Sequence, residues 1–206
     1  MIKFKFILNT VILSSLLLTF SMLSHGEVAP DVLDKSTADD VLAIVKQDKD
    51  IQAGNQAKIY ALAEEKIVPN FNLERVSRLV LGKNWLKATP VQQDAFKKEF
   101  RTLLMRTYAI ALTKFKNQTI DYKPLRLQAG DTTATVKTLI NQPSGPPVAV
   151  DYTLSKTDDA WKVYDIVIEG VSLVTNYRSQ FSQEIRQNGI DSLIQKLVDK
   201  NKAAGA

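Results

Sequence analysis

The hydrophobic period of this chain changes near Phe115 from helical to alternating, and returns to helical for the last two elements. Before that point apolar residues recur at steps of three and four. After it they alternate over four segments joined by short turns. The segments are residues 119–128, 132–141, Val148–Lys156 and Trp161–Ile168. Ala129-Gly130-Asp131, the run from Gln142 to Pro147, and Thr157-Asp158-Asp159 separate them, and all three are turn-like. Connections this short cannot cross over a sheet, so the strands should form an antiparallel meander. Ala134, Val136, Thr138 and Ile140 share one face of the second strand, and Val148, Val150, Tyr152 and Leu154 one face of the third. That face is apolar and needs a cover.

Helices on either side of the strands can supply it. Residues 31–49 read as a first helix, with Ser36 and Asp39 at capping-box spacing and Val41, Leu42 and Val45 as its stripe. A second spans 55–68, with Ile59, Leu62, Ala63 and Ile67 on one face, and Pro69 stops it. A third spans 72–81, with Val76, Leu79 and Val80 as its stripe and Gly82 in the C-cap place. The fourth starts with Thr89 as N-cap, Pro90 at the first helical position and Gln92 closing a capping box. Its stripe of Phe96, Phe100, Leu103, Leu104, Tyr108, Ala111, Leu112 and Phe115 carries it to about Phe115. Two more helices, 175–187 and 190–201, are parted by Gly189, and residues 202–206 should fray. The sum is an α+β domain, a curved four-stranded antiparallel sheet covered on one face by helices that precede and follow it, in an NTF2-like cone.

The first residues read as an export signal: Lys3 and Lys5, the uncharged apolar run 7–23, then Ser24-His25-Gly26 before a cut at Glu27. Residues 1–26 are expected to be removed, leaving 27–206 as a single soluble exported domain. The only histidine, His25, leaves with the signal, and the chain has no cysteine. Ser-His-Asp and Cys-His catalysis, thiolate redox chemistry and His/Cys zinc sites are therefore excluded. No S-x-x-K motif occurs, and Ser172, in G-V-S-L-V, lacks the second glycine of a nucleophile elbow. The formal charge of +5 falls to +3 once Lys3 and Lys5 are gone. The basic residues are scattered, and with export this makes nucleic acid an unexpected partner.

What the chain offers instead is apolar surface. Residues 161–181, WKVYDIVIEGVSLVTNYRSQF, join a strand to an amphipathic helix through Glu169-Gly170. Such a stretch suits a protein that holds something greasy. This segment and the block LVLGKNWLKATPVQ at 79–92, continuing through Phe96, Phe100 and Thr107-Tyr108-Ala109, resemble the toluene-tolerance (MlaC) family. The likeness covers about 41–201. Members of that family are the periplasmic phospholipid-binding component of the Mla lipid transport system.

The resemblance implies a carrier without catalytic residues, cofactor or metal. It would hold a glycerophospholipid by its acyl chains between sheet and helices. It would shuttle the lipid across the periplasm between an outer-membrane lipoprotein complex and an inner-membrane ABC transporter complex with its periplasmic lipid-binding subunit, keeping the outer membrane's lipid asymmetry. From facing and position, the candidate wall residues are Leu79, Phe100, Leu104, Tyr108, Val136, Val150, Tyr152, Trp161, Val163, Ile166, Val171, Val174 and Tyr177. Trp85 belongs either to the cavity mouth or to a buried tie between the third and fourth helices. Two other readings fit the residues alone: an exported enzyme acting on an apolar substrate through one of Asp151, Asp165 or Glu169, or an adaptor with a filled core.

Overall fold

A computed structural model of the chain describes residues 28–203 apart from Lys116 and Asp159. The expected signal, residues 1–26, and its cut lie outside the described residues. Among the described residues no helix is long and apolar enough to cross a membrane.

Helix α1 runs over Pro30–Gln47, a short α2 over Lys49–Gln52 and α3 over Gln56–Leu62. The expected box at Ser36 and Asp39 is not a cap. The helix has already begun at Pro30, whose fixed φ suits a first helical position, and the Ser36 and Thr37 hydroxyls donate back to the Leu33 carbonyl. The second helix begins as expected, with the Asn55 side chain accepting from the Lys58 N–H. It does not end cleanly at Val68. It widens into a π turn over Ala63–Ile67 and tightens into a 3-10 turn over Val68–Asn70.

Helix α4, Leu73–Leu81, is capped by the Asn72 side chain and ends at Gly82, whose φ of +55° is where glycine is favoured. A 3-10 turn over Gly82–Lys87 leads to α5, Pro90–Tyr108. Both halves of its Thr89–Gln92 capping box are formed. The last stretch of the expected fourth helix, Ala109–Lys114, is a 3-10 turn.

The sheet is an open meander in the order β1 (Thr119–Tyr122), β2 (Thr133–Asn141), β3 (Val148–Lys156), β4 (Trp161–Ile168), β5 (Val171–Ser172). The first strand is shorter than expected. Pro124 has no N–H to give, and pairing stops after the Lys123 N–H donates to Lys137. A fifth, two-residue strand was not expected. It forms because Glu169 (φ +49°) and Gly170 (φ +79°) turn the chain back on itself, pairing Ile168 with Val171. The remaining chain is α6, Leu173–Ala203, broken at Gly189 with φ 84° and ψ 170°. Lys202 and Ala203, expected to fray, belong to its last turn.

Between β3 and β4 the register slips. Tyr152 faces Ile166 and Thr153 faces Asp165, yet Leu154 faces Val163. β4 therefore carries a bulge with Tyr164 as the extra residue, and such bulges bend a strand and re-aim its side chains. On one side of it Trp161 and Val163 pack with Ala134, Val136 and Leu154 under Leu33 of α1. On the other side, α4, α5 and α6 pack Val76, Val80, Trp85, Phe96, Phe100, Tyr177 and Phe181 together. A third cluster joins α1 and α3 to Ala109. The parallel bridge of Phe71 to Val163, the Asn72 N–H to the Val163 carbonyl at 2.8 Å, and Lys162 Nζ to the Pro69 carbonyl at 2.7 Å tie the 3-10 turn at 68–70 to β4.

Candidate functional site

An apolar cavity of about 170 Å³ lies where α4, α5 and α6 meet the bulge of β4. Ala63, Ile67, Val68 and Phe71 close one side, and Leu73, Val76 and Val80 of α4 another. From α5 and the turn after it come Phe100, Arg101, Leu104, Met105, Tyr108, Ala109 and Leu112. The bulge gives Tyr164, Asp165 and Ile166, and the first turns of α6 give Leu173, Val174 and Tyr177. An engineered apolar cavity of about 150 Å³ stays dry and admits a benzene ring. A space of this size and lining likewise favours apolar matter over water.

Aromatic packing holds the far wall rigid. Phe100 stacks on Phe96 with centroids 5.3 Å apart, and meets Tyr177 edge-on at 5.1 Å. Phe181 sits edge-on to both phenylalanines, at 5.8 Å and 5.5 Å. Each such pair contributes about 0.5–1.5 kcal/mol beyond area burial. Burial, with the Tyr108 hydroxyl beside it, holds the Tyr177 phenol well above its ordinary titration range. It stays neutral and compatible with a dry wall.

Among the described residues on the lining, Asp165 is the one carboxylate, and it is engaged. The Asp165 carboxylate accepts from the Ser172 hydroxyl at 2.6 Å and from the Val174 N–H at 3.0 Å, so it fastens the start of α6. The Glu169 carboxylate accepts from the Ala149 N–H and closes the turn. Asp151 lies on β3, opposite Lys137 and Val167. Among the described residues no group of three or more His, Cys, Asp or Glu is placed to hold a metal ion.

Of the thirteen wall candidates, Phe100, Leu104, Tyr108, Ile166, Val174 and Tyr177 line this cavity. Val136, Tyr152, Trp161 and Val163 lie in the cluster under α1. Val150 is buried in the sheet opposite Thr138 and Ile168. Leu79 packs on the outer side of the α4–α6 cluster, its carbonyl accepting from Arg178 Nε at 2.5 Å. Val171 is 56% exposed. Trp85 is buried, with Arg78 over its ring and its carbonyl accepting from Gln93, so it ties α4 to α5. The sequence reading missed Phe71, Leu73, Arg101, Met105 and Tyr164. Others on the wall, among them Ile67, Val76, Val80 and Leu112, are marked in the sequence only as parts of helical stripes.

A family model described as MlaC protein matches residues 35–199. The chain belongs to the MlaC family. It is 29% identical over 206 residues to the intermembrane phospholipid transport system binding protein MlaC of Haemophilus influenzae, covering 95% of this chain and 92% of that protein. It is 26% identical over 185 residues to the toluene tolerance protein ttg2D of Pseudomonas putida, covering 89% of this chain and 85% of that protein. Among solved structures it is similar to the phospholipid-binding protein of Ralstonia solanacearum in complex with a phospholipid. The TM-score there is 0.80 and the identity 40%, over 85% of this chain and 98% of that one.

Proposed function

We propose that this MlaC-family chain is an exported, periplasmic phospholipid carrier rather than an enzyme. It binds the acyl chains of a glycerophospholipid in the cavity between α4, α5, α6 and the β4 bulge. It passes the lipid between an outer-membrane lipoprotein complex and an inner-membrane ABC transporter complex, and so maintains outer-membrane lipid asymmetry. The observation that carries the reading is the apolar cavity in a fold shared at TM-score 0.80 with a protein solved in complex with a phospholipid.

Magnitudes shape the mechanism. A buried methylene contributes about 0.8 kcal/mol, so two acyl chains with roughly 30 methylenes resist exposure to water by on the order of 20 kcal/mol. Release into solvent is then far too slow for transport, and hand-off requires the cavity mouth to dock on a partner's apolar channel. A space of about 170 Å³ admits a ring, not two chains, so the cavity must widen as chains enter. Purified exported protein, extracted with organic solvent and analysed by mass spectrometry, should yield intact phospholipid near one molecule per chain. An empty extract after mild purification, or a hydrolysed lipid, would sink the reading.

A further inference from the structure

Among the described residues that line the apolar cavity, Arg101 carries the one positive charge. Its Nε is buried and donates to no partner, while its outer end is ion-paired with Glu64. A buried donor left without an acceptor is costly, and packing alone gives no reason to place it beside an apolar space. Arg101 and Met105 line a second feature as well, an open groove completed by Tyr60, Glu64, Thr102 and Arg106. Cavity and groove thus share a wall. Ala63 and Glu64, consecutive on the π turn, divide between them, the first lining the cavity and the second the groove. Single π turns inside helices recur at functional sites. Arg106 is steadied at the groove by donating from Nη1 to the Asn201 carbonyl.

The guanidinium fork matches phosphate geometry better than any other side chain. We infer that this groove seats the phosphodiester of the bound lipid, with Arg101 as its main donor, Arg106 as a second cation and Glu64 as the carboxylate the phosphate displaces. The inference rests on the carrier reading above and deepens it. An acyl chain entering the cavity from this side leaves its glycerol phosphate at Arg101. The phosphodiester is common to all glycerophospholipids, so the groove separates them from uncharged diacylglycerol and treats their head-group alcohols alike.

The test offers the delipidated exported protein vesicles with equal amounts of phosphatidylglycerol and diacylglycerol of the same acyl chains. Mass spectrometry then counts each lipid bound. The expected wild-type preference for phosphatidylglycerol is about tenfold or more, the size of a charge-assisted hydrogen bond. Arg101→Ala brings the ratio toward one. Arg101→Lys keeps an intermediate ratio, because the charge remains and the fork is lost. The ratio is internal to each sample, so partial misfolding of a variant lowers both counts and leaves it readable. Added inorganic phosphate leaves the ratio unchanged; its collapse would make the groove a free-anion site and overturn the assignment. A wild-type ratio of one, or an Arg101→Ala ratio equal to wild type, overturns the groove and leaves the carrier standing. Loading of neither lipid by the wild type removes the carrier reading and this one with it.

Discussion

The Ser172 hydroxyl donates to the Asp165 carboxylate at 2.6 Å, and this contact fixes where the sheet ends and α6 begins. The same carboxylate accepts the Val174 N–H, and Ser172 Oγ accepts the Thr175 N–H at 3.0 Å. Two of the helix's unpaired first N–H groups are thereby satisfied. Asp165→Ala removes this arrangement and should destabilise the fold by about 1–3 kcal/mol. Urea unfolding measures it, and a variant as stable as wild type would contradict the role.

Gly189 breaks α6 with a backbone conformation, φ 84° and ψ 170°, that is essentially glycine's alone. A Cβ added there meets nothing within 4 Å, so the cost of Gly189→Ala is purely backbone strain. The expected loss is about 1–3 kcal/mol in thermal or urea unfolding. A neutral result would mean that the second half of α6 can straighten without loss.

Asp34 of α1 packs near Tyr122 and Tyr152, with one carboxylate oxygen buried and unpartnered, and burial raises its pKa to about 7. The folded state therefore holds a proton that the unfolded chain, with the ordinary value near 3.8, releases. Stability from this group is fully present below about pH 4, declines as pH rises and is lost above about pH 7. Asp34→Asn should flatten that decline and leave the variant more stable than wild type in mild alkali. Urea midpoints across this pH range check it, and parallel curves for the two proteins would refute it.

Local signals were legible in the sequence where a residue acts on its own neighbours. Thr89, Pro90 and Gln92 cap α5, and Gly82 and Gly189 stop helices, as their chemistry requires. Ser36 misled because spacing makes a cap only where the chain also turns, and Pro30 had already opened the helix. The two residues of β5 are too few to show a period.

The cavity was legible in part. Phe100, Leu104 and Tyr108 share a helical face, and all three reach it. The same stripes that build a core build a wall, so Val76 and Val80 carried no distinguishing mark. On β4 apolar residues fall at 161, 163 and 164 and then at 166, 167 and 168, so the strand shows no clean alternation from which a bulge could be read. The bulge shows only in the register, and it sends Trp161 and Val163 to one cluster while Tyr164 and Ile166 reach the cavity.

A carrier of this kind must hold the acyl chains in this particular space. Leu104 lines it and is partly buried, so Leu104→Trp fills volume that is already there. The decisive measurement is moles of phospholipid per mole of protein in parallel extracts of wild type and Leu104→Trp, each with its melting temperature. The expected result is close to one in the wild type and a several-fold drop in the variant at an unchanged melting temperature. Equal loading of the two proteins would place the lipid elsewhere and contradict it.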